Sequence, residues 1–390
     1  MKKFCQFLVC ALLAGAFAMS AAVYAQSQSP KFGSEEEQKA YEAYYNAVYV
    51  EKNKTKGYEL AKAFVEKFPN SEVASFAKGT IINKLGEDFQ TALNSFYQGT
   101  PDTSKLQALL SIGDEYLRWQ PDQVYVTAHM ALGSSRAVLS TVSKDLNRSK
   151  SLAEKSLALM ESPNPPANYP AELYGPLRES VLAQSNQFLG YYELEQPNPD
   201  LDRAIAFLTK STLVKNKEGQ GWKDPNNYWL RASAYQKKYS KLSNEYRALT
   251  DEQKSGEQGK ALLEKINPLI DKMIDDYARV VAVAARSETA KPLHDAAKES
   301  LDQFWKYRYS NLSNGQLDLI KHFEADPTVE APARTPAAAS PDMSAGAPPT
   351  ATTTKPTLTA APTAGSKNGS KAAPAKGKAK AAPAKKKKRR

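Results

Sequence analysis

The sequence predicts an all-α fold, a stack of about six antiparallel helix pairs each burying its apolar face against its neighbours, followed by a disordered tail. Three observations carry this. Apolar residues recur at spacings of three and four from Glu35 onward, and no alternating strand pattern of useful length interrupts them. Clusters of Pro, Asn, Asp and Gly divide the run into helix-sized pieces at Pro69-Asn70-Ser71, Pro101-Asp102-Thr103, Pro121-Asp122, Pro163 to Pro166, Pro197 to Asp200 and Asp224-Pro225. After Asp326, Phe, Trp, Tyr and Ile cease, while Pro and Ala alternate with Thr, Ser, Gly and Lys. Several of the breaks place Asp, Asn or Ser just ahead of an apolar run, where a short side-chain oxygen accepts the unpaired amides of a helix start.

The first pair is expected at Glu35 to Glu51 and Thr55 to Phe68. Tyr41, Tyr45 and Tyr49 lie one turn apart on its first helix and read as packing, because aromatic stripes at helical spacing belong to cores. The next helix is expected to run unbroken from Ser71 to Tyr97. Ala74, Ala77, Ile81, Leu85, Phe89, Ala92 and Phe96 carry one face straight through Gly86, and a single helical glycine costs only about 1 kcal/mol. It pairs with Thr103 to Trp119. Val124 to Val142 then pairs with Arg148 to Met160, with Leu132 and Gly133 set to meet Ala153 and Leu157, and Ala171 to Leu194 pairs with Asp200 to Val214.

Tyr228, Ala232, Tyr235, Tyr239, Leu242, Tyr246 and Leu249 recur at heptad-like spacing, as do Leu263, Ile266, Ile270, Met273, Tyr277, Val280 and Ala284. These two runs are expected to form a long antiparallel hairpin, kinked in its second arm by Pro268. Helices at Lys291 to Arg308 and Gln316 to Phe323 close the stack.

The stretch Leu182 to Asn216 combines small residues at a helix crossing (Gly190, Ala204, Ser211) with large apolar ones a turn away (Leu189, Ile205, Leu208) across a Pro-Asn-Pro-Asp break. It resembles a tetratricopeptide (TPR) unit, with Leu-Gly on the first helix and Ala-x-x-x-Leu-x-x-Ser on the second. Glu193 stands where the family carries a first-helix Tyr. Tyr58 to Ala74, with its Phe68-Pro69-Asn70-Ser71 joint, is similar to TPR proteins of bacterial envelopes. The resemblance implies a right-handed superhelix and a non-catalytic adaptor. Its groove, made largely by the first helix of each pair, would hold a protein or peptide partner, with Tyr44, Asn186, Arg231 and Tyr235 as candidate groove residues.

Met1 to Ala25 reads as a secretory signal: Lys2 and Lys3 precede an apolar run from Phe4 to Ala22, and Val23-Tyr24-Ala25 offers a cleavage site. Export to the periplasm or cell envelope is the expectation, with an uncleaved membrane anchor as the alternative. Cys5 and Cys10, the only cysteines, lie within the signal, which leaves residues 26–390 without disulfide or thiolate chemistry. A flexible leader at 26–34, a helical domain at 35–326 and a tail at 327–390 complete the organisation.

The formal charge of +11 is unevenly spread. The tail holds 13 Lys and Arg against 2 acids, whereas residues 26–326 hold 38 basic and 40 acidic side chains. Such a tail buries too little apolar surface to offset its chain entropy. Its terminal run Lys385, Lys386, Lys387, Lys388, Arg389 and Arg390 is expected to bind polyanions through counterion release, either an anionic envelope polymer or nucleic acid, with a solvated spacer without a partner as the alternative.

Enzymatic signals are lacking. His129, His294 and His322 fall on separate helices without metal-ligand spacing, and neither a phosphate loop nor a Gly-x-Ser-x-Gly elbow occurs. Glu35-Glu36-Glu37 reads as charge complementing a helix start, and Asp275-Asp276 as a solvated helix face. No cofactor, metal or small-molecule substrate is expected. The rival reading is a polyanion-binding protein in which the tail acts and the helices carry it.

Overall fold

The computed structural model of the protein describes residues 30–98, 102–166, 169–215, 220–309 and 314–335. The expected signal with Cys5 and Cys10, the start of the leader, and residues 336–390 with the Lys385 to Arg390 run lie outside the described residues. The described chain is all-α, without a strand. Its helices are α1 (Glu35–Tyr45), α2 (Lys54–Lys67), α3 (Ala74–Tyr97), α4 (Thr103–Trp119), α5 (Val124–Leu139), α6 (Leu146–Leu159), α7 (Ala171–Glu195), α8 (Leu201–Thr212), α9 (Pro225–Arg247), α10 (Asp251–Ser255), α11 (Glu257–Ala284), α12 (Lys291–Tyr309) and α13 (Asn314–Ala325).

Short polar side chains start these helices as expected. Asp102, Asp145 and Asp200 accept the amides of Lys105, Arg148 and Arg203 at 2.8, 3.0 and 3.0 Å. Ser34 Oγ caps Glu37 N, and the Glu37 carboxylate accepts Gly33 N at 2.7 Å, so one member of the acidic triplet is buried in the cap.

Successive helices pack antiparallel. Glu36 meets Lys67 and Tyr41 meets Phe64 between α1 and α2. Gly113 lies against Met130 and Leu109 against Gly133 between α4 and α5. Asn147 meets Tyr192 and Ser156 meets Ser185 between α6 and α7. Two large apolar clusters result: one spans α1 to α5 around Phe64, Ile81, Phe89, Phe96 and Met130, the other α9 and α11 to α13 around Tyr239, Ile270, Tyr277, Phe304 and Phe323. α3 runs through Gly86 without a break, and α11 through Pro268.

Several expectations shift. The first helix reaches Val50 only by loosening into a π-turn at Asn46–Val50, with Glu51 N returning to Asn46 O at 2.8 Å. Tyr45 and Tyr49 are 45 and 51 % exposed with their rings 4.8 Å apart, so the tyrosine stripe is not core packing; only Tyr41 is drawn inward. The fifth helix stops at Leu139 rather than Val142. Thr141 takes a left-handed conformation (φ 61°), and the amides of Val142 and Ser143 fold back onto Ala137 O. Gly133 opens space for Leu109 of α4 and Phe96 of α3 instead of for α6, while α5 and α6 meet at Ser134 and Ser149.

The Gly190 crossing forms as expected. A Cβ there would lie 2.5 Å from Leu208 Cγ and 3.2 Å from Ala204 O, and Ser211 Oγ donates to Ala183 O at 2.7 Å. Gly86 faces only the Tyr116 ring at an ordinary 3.6 Å. Urea denaturation should therefore separate two alanine substitutions. Gly86→Ala is expected to stabilise by about 0.5–1 kcal/mol through lower backbone entropy, and Gly190→Ala to destabilise by about 1–3 kcal/mol through overpacking against Leu208.

Candidate functional site

The chain does not leave the domain at Asp326. Residues 327–335 continue as a strap across α11 and α12, opening in a turn closed by Val329 N on Asp326 O at 3.4 Å and running on without helix or strand, so the first part of the expected disordered tail belongs to the folded unit. Pro327 is buried, Val329 and Ala331 are half-buried against the C-terminal apolar cluster, and Glu330, Pro332 and Ala333 face outward. Thr328 is half-buried as well, so the in-and-out alternation of an extended chain holds only from Val329 to Pro332. Asp326 shapes the entry by accepting Thr328 N at 2.9 Å and Thr328 Oγ1 at 2.6 Å, while Lys215 donates to it at 2.8 Å. The Lys215 and Thr328 bonds hold its carboxyl down at about 2.

Between the strap, the end of α8, α9, α11 and the end of α12 lies a cavity of about 500 Å³. Its floor is a charged cluster. Asp276, 1 % exposed, receives Arg231 through both carboxylate oxygens (Nε–Oδ2 2.8 Å, Nη2–Oδ1 2.6 Å), and Arg279 Nη1 adds a third bond at 3.1 Å. Arg231 Nη1 also donates to Thr209 on α8 at 3.2 Å, tying that helix to the cluster. Burial alone would lower the Arg231 pKa, but the Asp276 carboxylate outweighs it and holds the guanidinium above the ordinary arginine value.

Arg279 is the pivot of the strap. Its Nε donates to Pro327 O at 2.8 Å and its Nη2 to Val329 O at 3.0 Å, and its guanidinium stacks 4.1 Å from the Phe323 ring centroid. His322 Nε2 lies 2.9 Å from Glu330 O, so the tautomer protonated there donates a further bond. Farther along, Arg334 pairs with Asp275 through Nη2 and lies 5.5 Å from the Tyr309 ring centroid. Its Nη1 is sealed from solvent without an acceptor, an omission that costs about 1–3 kcal/mol. Burial raises the Asp275 pKa above the ordinary carboxylate value in spite of Arg334 and Arg279 beside it. At the rim, Asp271 takes both arms of Arg308 at 3.1 Å and the Tyr309 hydroxyl at 2.7 Å, and burial together with Asp271 pushes Tyr309 up to about 12.

Of the four candidate groove residues, the structure brings together Arg231 and Tyr235, which both line this cavity. Tyr44 is a core residue, fully buried, with its hydroxyl 2.7 Å from Thr80 Oγ1. Asn186 is 5 % exposed and turns its amide back to Leu182 O at 2.7 Å. Both are buried, Tyr44 against the neighbouring α3 and Asn186 with its amide bonded to its own helix, so neither side chain is open to a groove. Asp275 and Asp276 are not a solvated face; both are buried on arginines. Arg279 and Arg334, unmarked in the sequence reading, carry the strap. The one signal available for them was the Val329-x-Ala331 alternation directly after a helix end.

The histidines stay apart. His294 Nδ1 lies 3.0 Å from the neighbouring Asp295, and His129 packs at 4.4 Å on the Tyr125 ring. Among the described residues, no group of His, Cys, Asp and Glu is placed to hold a metal ion. Compared with family models, curated proteins and solved structures, the chain matches none.

Two measurements check these electrostatics. Asp276→Ala leaves Arg231 and Arg279 buried without their carboxylate and is expected to lower unfolding stability by about 3–5 kcal/mol in urea titrations. His129 is partly accessible at its ring edge, but its Nδ1 is sealed and unpartnered, and burial lowers its pKa from 6.5 to about 4. The unfolded chain then binds a proton that the folded chain refuses between those values. Stability should fall on acidification through that window with a slope approaching about 1.4 kcal/mol per pH unit, and His129→Leu should remove that contribution.

Proposed function

We propose that the protein is a non-catalytic interaction scaffold of the tetratricopeptide type. Met1 to Ala25 exports it to the bacterial cell envelope, the cleft beside α9 and α11 holds a protein or peptide partner, and the basic tail contacts anionic surfaces there. One observation supports the cleft above all others: Arg279 gives two nitrogens to main-chain carbonyls two residues apart, at the turn that opens the strap. Such donors read main chain rather than a particular side chain, which is what a polypeptide ligand offers. Arg231 and Tyr235 contribute the adjoining wall, and Lys272 stands exposed at its edge.

The competing reading gives the work to residues 336–390, whose composition suits any polyanion. In-cell crosslinking capture separates the two, using the full chain, a chain ending at Thr335, and full-chain variants Tyr235→Ala and Lys272→Glu. The scaffold is expected to retain its captured proteins without residues 336–390, to depend weakly on salt, and to lose capture by about tenfold in the cleft variants, the scale of one central contact. If capture instead collapses with the tail and falls steeply with salt, the polycation carries the function.

A further inference from the structure

The strap is itself the best guide to what the cleft takes. It enters with a buried proline, turns small apolar side chains inward at every second position, offers its carbonyls to Arg279 and His322, and delivers an arginine to Asp275. The arginine is a geometric necessity of the site. Without the strap, Asp271 keeps Arg308 and Asp276 keeps Arg231 and Arg279, but Asp275 loses the cation that pairs with it. An occupant of the cleft must bring one, because a buried carboxylate is stable only when paired.

The strap is also an imperfect occupant. Arg334 reaches Asp275 with one nitrogen and leaves Nη1 sealed off without an acceptor. Val329 and Ala331 are only half-buried, and a cavity of about 500 Å³ remains around the strap.

Building on the scaffold reading, we propose that this cleft is a docking groove for a non-helical partner segment that, like the strap, opens in a turn, sets small apolar residues inward and then supplies an arginine, and that residues 327–335 are a built-in competitor which the partner displaces. Affinity for a partner is then reduced by the fraction of molecules with the strap seated. A segment that seats its arginine with both arms on Asp275, and its side chains in the remaining cavity, displaces the strap.

The test uses full-length protein and a fluorescently labelled peptide with the sequence of residues 327–335. That peptide carries one glutamate and one arginine, so the lysine-rich tail offers it no net attraction. Strap release is achieved by Val329→Ser with Arg334→Glu, both on the strap and outside the helical core. Fluorescence anisotropy is expected to show the released variant binding the peptide at least about tenfold more tightly than the unaltered chain, as for a strap seated nine times in ten. Replacing the peptide's arginine by glutamine should remove that gain, as should Arg279→Lys added to the released variant, with unchanged helicity by circular dichroism as the control.

Equal affinity for the unaltered and released chains, or no binding to the released chain, overturns the proposal. A glutamine peptide that binds as well as the arginine peptide overturns the arginine requirement and with it the assignment of Asp275. The scaffold reading fails separately: peptide binding as expected, with in-cell capture indifferent to the cleft variants, removes that reading and leaves the groove. Capture that depends on the cleft, with no peptide binding to the released chain, does the reverse.

Discussion

Asp276 is the point at which four parts of the chain are tied. A carboxylate removed from water costs several kcal/mol unless its charge is met in place, and here two arginines meet it from opposite directions. Arg231 approaches from α9 and carries a bond onward to Thr209 of α8; Arg279 approaches from one turn farther along α11. Because Arg279 spends only one nitrogen on Asp276, its other two are aimed at whatever lies above, and in this structure those acceptors are the carbonyls of Pro327 and Val329. The fixed geometry of a guanidinium couples the two sides: orienting it on the carboxylate also orients the donors that hold the strap. The ion cluster is therefore both a clamp between helices and the template of the cleft.

Most of the helical framework was legible because its signals are local. Pro and Asp at the breaks, apolar residues at three and four, and glycine at crossings act within a few residues of where they stand, and they placed α4, α7 and α12 within a residue and α3 within three at its start. The errors came where a second segment decides. Gly133 faces α3 and α4 rather than α6, and no local pattern distinguishes which neighbour fills the space a glycine leaves. Tyr44 rather than the 41, 45 and 49 stripe enters the core, because steps of four residues turn a helix by about 40° beyond a full circle and carry each successive ring away from the neighbour. The π-turn at Asn46–Val50 shifts the register further.

The cleft was the least legible part for the same reason in stronger form. Asp275 and Asp276 stand side by side in sequence and look like a solvated face, yet Arg334 reaches Asp275 from 59 residues away and Arg231 reaches Asp276 from 45, beside the local Arg279. Pairing at that range has no periodicity to betray it. The strap was hidden by composition. Its proline, alanine and threonine content is continuous with the tail that follows, and only Val329, Glu330 and Arg334 set it apart. Composition reads average burial over a segment, whereas docking depends on a few inward positions and on main-chain carbonyls that every residue possesses.

Charge balance separates the chemistry of the cleft from that of the tail. Arg231, Lys272, Arg279 and Arg334 in the lining are met by Asp271, Asp275, Asp276 and Glu330, so the cavity presents no excess of either sign. A polyanion gains affinity by neutralising many phosphates or carboxylates at once, which requires an uncompensated row of cations. The lining lacks such a row, since Arg231 and Arg279 are already committed to Asp276. On the scaffold proposal, the cleft discriminates the placement of main-chain carbonyls and a single cation, a short-range recognition that salt screens weakly in a partly buried site. Tail and cleft, on the same proposal, answer to different ligands.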